Sequence, residues 1–241
     1  MCIRDRSHRI PALLVVAAGA CLGGSPAAAQ DYKVTHQGPG VSGMSSQGMA
    51  YDVGDMIDEV ESVYGSGLAD EMRDELTGPD ADICVTELST PGYADGASDD
   101  DTILVNTKNH DGSTRISLFV AAMILAHEYE HATRPRPTDP DTGEPEPGDP
   151  MTGGPCGECY HAQMHIQQMC DLMALLDGDC QNYTGPPSKD DICAAFELNK
   201  TPARGYMDKC LDDPLCCEIT GGAGWNLKLH DVCQDMEGCC P

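Results

Sequence analysis

Apolar positions along this chain recur with two periods, and the change of period marks out the elements. From Val53 to Leu76, Val53, Met56, Ile57, Val60, Val63 and Tyr64 follow the three-and-four spacing of one helical face. Gly65-Ser66-Gly67 breaks that run, and Leu68, Met72 and Leu76 begin a second helix. Ile83–Leu88 and Thr102–Asn106 predict two short strands. The acidic stretch between them, with Gly92, Gly96 and Ser98–Asp101, reads as a loop too long for a tight hairpin. Ser117–Ala132 (SLFVAAMILAHEYEHA) is rich in Ala, Leu and Met without Gly or Pro, and predicts a strong helix. Tyr160–Leu176 predicts another, stopped by Asp177-Gly178-Asp179.

The remaining segments lack such patterns. Residues 30–52 are rich in Gly, Ser and Gln and read as a mobile leader. Residues 134–155 hold seven prolines in 22 residues, which excludes a helix and leaves almost nothing to bury. Residues 180–241 carry eight cysteines in 62 residues and few periodic apolar positions, so they read as a disulfide-stapled segment without a core of its own. The expected organisation is therefore a core over 53–179, interrupted by the proline-rich loop, and a cysteine-rich C-terminal segment over 180–241.

Charge and cysteine usage narrow the setting. The 241 residues carry 14 Lys+Arg against 40 Asp+Glu, a net charge of −26. That balance argues against nucleic acid, which needs a basic face, and against anionic lipid. No apolar run reaches the roughly 18 to 20 residues of a membrane span. Arg4, Arg6 and Arg9, the apolar run Ile10–Leu22 and Ala27-Ala28-Ala29 have the three parts of a secretory signal peptide over residues 1–29. Met1-Cys2-Ile3-Arg4-Asp5-Arg6 also reads like a translated sequencing adapter, which would make those six residues an artefact. Ala18-Gly19-Ala20-Cys21 offers a weaker alternative, a lipid anchor at Cys21. Cleavage after Ala29 leaves 12 cysteines and a charge of −28, a chain for the secreted, periplasmic or cell-surface space with up to six disulfides.

The chemistry concentrates in His127-Glu128-Tyr129-Glu130-His131. Residues i and i+4 share a helical face, so both imidazoles can reach one metal ion, while Glu128, about 100° around the helix, is placed to take a proton from an activated water. Ile116, Val120, Met123 and Ile124 lead into the histidines along the buried stripe.

From Thr102 to Ala132 the chain resembles the core of the zincin zinc metallopeptidases, with a strand followed by the H-E-x-x-H helix. The resemblance covers about 30 residues. It implies an α+β fold in which the active-site helix packs on a second helix and a small sheet, followed here by the disulfide-rich segment. It also implies a Zn2+ cofactor held by His127 and His131, peptide or protein substrates, and Glu128 as general base. Arg134 and Pro137 stand where the metzincin branch needs Gly and His, so the likeness is to the gluzincin-like branch, whose third ligand is a Glu on a downstream helix. Glu158 fits that role, with His161 as the alternative ligand. On that helix His161 or His165 could instead orient the ligand or stabilise the oxyanion. The edge of strand 102–106 would hold an extended peptide by main-chain hydrogen bonds.

Three weaker signals have structural explanations. Cys156-Gly157-Glu158-Cys159 follows a Pro/Gly loop, not a buried strand, which favours structural disulfides over thiol redox chemistry. Asp139-Pro140-Asp141-Thr142-Gly143-Glu144 begins like a calcium loop without completing one. Cys216-Cys217 and Cys239-Cys240 read as framework, and nothing local brings Tyr206 or His230 to a site. The function expected is a secreted zinc peptidase. The competing expectations are a secreted non-catalytic binding module with a structural metal site, and a disulfide-held domain without metal.

Overall fold

The computed structural model describes residues 46–47, 49–77, 81–88, 96–99, 102–108, 113–133, 156–176 and 180–240. The signal peptide, Cys21, most of the leader, the proline-rich loop and the calcium-like hexapeptide lie outside them. The chain divides into two compact units, residues 13–135 and residues 136–241 together with 1–12.

In the first unit, helices α1 (Val53–Tyr64) and α2 (Ser66–Leu76) meet at Gly65, whose φ of 79° belongs to the left-handed region that glycine tolerates. Asp52 caps α1 by accepting from the Gly54 N–H at 2.8 Å. Arg73 on α2 reaches back to Asp58 and Glu61 on α1 at 2.7 and 2.6 Å, and those hydrogen bonds hold its guanidinium well above its ordinary pKa. Met56, Ile57, Val60 and Val63 form the inward face of α1, which packs on α2 and on helix α3 (Leu118–Thr133).

Strands β1 (Ser46–Gln47), β2 (Cys84–Leu88), β3 (Gly96–Asp99) and β4 (Thr102–Val105) form one sheet in the order β1-β2-β4-β3. β2 and β4 run parallel, with Val85 opposite Ile103, and the other two pairings are antiparallel. Two expectations change here. The stretch read as an acidic loop supplies β3, and the end of the leader supplies β1. Strand 102–106 is consequently no edge. β4 has partners on both sides, and β3 takes the edge position.

Helix α3 lies against β3, β4 and α1. Twelve of its sixteen residues are buried, so it is a central helix enclosed on all sides and not an amphipathic surface helix. The link from β4 into α3 is fixed by a buried carboxylate. Glu87 accepts from the Thr107 N–H at 2.6 Å, the Lys108 N–H at 3.0 Å and the Thr107 hydroxyl. Ser117 then caps the helix, its Oγ accepting from the Val120 N–H.

The second unit is helical, with α4 (Gly157–Leu175), α5 (Lys189–Asp212), α6 (Pro214–Thr220) and α7 (Gly222–Glu237). The cysteine-rich segment thus has a core after all: Ile192, Ala195, Phe196, Asn199, Ala203, Tyr206, Met207 and Cys210 form one buried stripe of α5. That stripe meets α4 in antiparallel order, since Glu158 pairs with Lys209 and His165 with Asn199. Ser188 caps α5, and Asp213 with Pro214 starts α6. Cys156 and Cys159 each bond a different helix, Cys156 to Cys216 and Cys159 to Cys210, while Cys180–Cys239 and Cys193–Cys240 close the C-terminus. The disulfides fit an oxidising compartment. Among the described residues no helix is long and apolar enough to cross a membrane.

Candidate metal centre

His127 and His131 are both buried on α3, and the helical i, i+4 spacing brings their Nε2 atoms to 3.2 Å. Two nitrogens at adjacent corners of a tetrahedral zinc site, each about 2.05 Å from the ion, stand about 3.3 Å apart. The pair is therefore spaced to share one ion, and the same distance suits an N–H···N hydrogen bond between the rings. Between them the helix turns its other residues in different directions. Glu130 is exposed. Tyr129 is buried and donates from its hydroxyl to Glu75 of α2 at 2.9 Å; burial, then the Glu75 charge, raises its pKa well above the ordinary value.

Glu128 is fully buried, and the space it occupies exists because residue 96 is glycine. A Cβ at Gly96, the first residue of β3, would come within 2.7 Å of Glu128 Cγ and Oε1 and 2.8 Å of Ile124 Cγ2. The edge strand therefore positions Glu128 by close backbone approach. Gly96 carried no signal in the sequence beyond its membership of a Gly- and Asp-rich stretch.

On α4, Glu158 lies in the first turn, where its Oε1 accepts from Lys209 Nζ at 3.0 Å. One turn later, the His161 and His165 rings stack with centroids 4.8 Å apart, and both are buried. Tyr206 of α5 covers His161 at 3.9 Å between centroids. His165 Nδ1 meets Asn199 Oδ1 at 2.7 Å. Tyr206 and Asn199 are the site residues that the sequence reading did not select, although both lie on the α5 stripe. His230 is exposed and pairs loosely with Asp231.

His127 and His131 thus form one buried imidazole pair on α3, and His161 and His165 form another on α4. An all-imidazole donor set suits zinc and other borderline first-row ions, and would exclude calcium or magnesium, which take oxygen ligands. Buried imidazole donors therefore fit the zinc ion that the resemblance implies. No family model, curated protein or solved structure matches the chain.

Proposed function

We propose that the protein is a secreted zinc-dependent peptidase whose ion is held by histidines of α3 and α4, with Glu128 as general base. The observation that carries this reading is that α3 buries two imidazoles spaced to share one ion, His127 and His131, together with Glu128. When bound, the zinc ion supplies Lewis acidity towards water and towards a peptide carbonyl. Glu128 sits beside the donor pair on α3, accepts the proton of the attacking water and returns it to the leaving amine. Its enclosure between α3 and Gly96 excludes bulk water from the base, which strengthens each electrostatic interaction it makes. β3, the edge strand among the described residues, would offer main-chain groups to an extended peptide, the role first expected for strand 102–106. A substrate peptide would approach a strongly acidic protein, so cationic sequences gain in encounter rate at low salt.

A second reading has its own supporting observation. The 3.2 Å His127–His131 spacing lets the pair share one ion, and four imidazole donors would fill a tetrahedron and close the site. Such a centre would be a structural clamp in a non-catalytic binding module. Purified protein loaded with zinc decides between them. The peptidase reading expects one zinc per chain, hydrolysis of an unfolded-protein substrate, and loss of that hydrolysis in Glu128→Gln with zinc retained. Wild-type protein that holds zinc through four nitrogens by X-ray absorption and cleaves nothing in broad peptide libraries supports the clamp. Protein that binds no zinc refutes both.

A further inference from the structure

The Asn199 side chain makes two contacts, and together they fix the protonation of a histidine. Its amide nitrogen donates to the Ala195 carbonyl at 3.0 Å, one turn back on α5. A carbonyl oxygen can only accept, so the amide group facing it is the NH2 and the orientation of Asn199 is determined. Its Oδ1 therefore faces His165 Nδ1, at 2.7 Å. That oxygen also can only accept, so the proton of the neutral imidazole resides on Nδ1. The lone pair is left on Nε2. His165 is 1% exposed and Asn199 7%, so water does not compete effectively for this hydrogen bond.

We propose that Asn199 is a positioning residue that locks His165 in the Nδ1–H tautomer and so dedicates its Nε2 to the metal ion. The role of His165 as a ligand rests on the centre proposed above, whereas its tautomer does not. The lock acts in three ways. It orients the ring about its χ2 bond. It removes the tautomer that would present a proton to the ion. Polarisation of the Nδ1–H bond by the Asn199 carbonyl also makes Nε2 a better donor. Anchoring to Ala195 makes the lock local to α5, so it is set before any ion arrives. His161 stacks on the same ring at 4.8 Å between centroids, and Tyr206 packs against His161 at 3.9 Å.

Two measurements test the inference. Long-range 15N–1H correlation spectra of the metal-free, full-length protein, assigned with His165→Gln, report which ring nitrogen of His165 carries the proton. Zinc affinity is then measured by competition with a chromophoric chelator for wild type, Asn199→Leu and Asn199→Asp. The expected spectrum shows Nδ1 protonated in wild type and a loss of that preference in Asn199→Leu. Zinc affinity should fall about 10- to 100-fold in Asn199→Leu, and Asn199→Asp, which keeps an acceptor, should recover to within about threefold of wild type. A wild-type His165 protonated on Nε2 overturns the proposal, and that measurement needs no variant to fold. A folded Asn199→Leu protein that binds zinc like wild type overturns it as well. Wild-type protein with the Nδ1–H tautomer but no zinc affinity supports the lock and refutes the metal centre.

Discussion

A single methyl group at position 96 should separate the base from the metal. In Gly96→Ala the new Cβ would stand 2.7 Å from Glu128 Cγ and Oε1 and 2.8 Å from Ile124 Cγ2. Ordinary carbon contacts begin near 3.5 Å, so one side must yield by roughly 0.8 Å. β3 is held along its length by β4, with Gly96 opposite Val105, and α3 is enclosed on all sides, so neither backbone moves freely. The strain should cost about 1–3 kcal/mol, as overpacked cores do. At about 2–4 °C per kcal/mol for a chain of this size, the melting temperature should fall by roughly 2–12 °C. A displacement of this order at a catalytic group costs on the order of 100-fold in rate. The assay is differential scanning fluorimetry beside hydrolysis of an unfolded-protein substrate, with zinc content followed by mass spectrometry. Zinc should be unchanged, because the histidines point elsewhere on the helix. Combining Gly96→Ala with Glu128→Asp shortens the obstructed side chain, so the two stability changes should be non-additive by at least about 0.5 kcal/mol. A Gly96→Ala protein with wild-type melting, or a strictly additive double mutant, would refute the claim that Gly96 makes the room for Glu128. That thermal comparison requires no substrate.

Glu87→Ala leaves the Thr107 N–H, the Thr107 hydroxyl and the Lys108 N–H without their acceptor, and should cost about 3 kcal/mol or more in urea unfolding; a loss below about 1 kcal/mol contradicts the clamp at the start of the α3 link. Tyr129→Phe removes a buried hydrogen bond to Glu75 and should cost about 1.5 kcal/mol at neutral pH. Because the folded-state pKa of Tyr129 is raised, the unfolded chain loses its proton first; wild-type stability should be level below about pH 10 and fall above it by up to about 1.4 kcal/mol per pH unit, a slope that Tyr129→Phe should lessen in alkaline urea titrations. Lys209→Met releases Glu158 from its partner: zinc affinity within about twofold of wild type agrees with an all-histidine site, whereas a marked rise would bring Glu158 back as a ligand.

The helices that can be read from the sequence are those whose buried faces use large apolar side chains. Met56, Ile57, Val60 and Val63 mark α1 to within a residue, and the apolar run of α3 leaves no competing assignment. Helix α5 is equally regular, but in its stripe the large apolar Ile192, Phe196 and Met207 are interleaved with the small or polar Ala195, Asn199, Ala203, Tyr206 and Cys210, which dilutes the apolar period. Pro202 inside it adds a false stop signal. The capping residues Ser188 and Asp213 were visible and would have marked both ends. Strand β3, Gly-Ala-Ser-Asp, has no strand propensity of its own and is a strand because β4 offers it hydrogen bonds. On α3, the H-E-x-x-H spacing singles out His127, Glu128 and His131, and all three are buried there, since i and i+4 share a face of any helix. Gly96 and Asn199 act through contacts between elements distant in sequence, and no local pattern encodes those.

The disulfides that frame the start of α4 bear on the order in which this protein matures. Cys156–Cys216 and Cys159–Cys210 close loops of 60 and 51 residues, each worth about 4 kcal/mol in the chain-entropy view, and both are fixed less than two turns before His161. Helices tied in this way keep their shape without an ion, unlike small zinc domains that are unfolded until metal arrives. On the proposed reading, oxidation comes first and metal loading second. A chelator would then empty the site and leave the scaffold standing, ready to be refilled, while a reductant would dismantle the donors themselves.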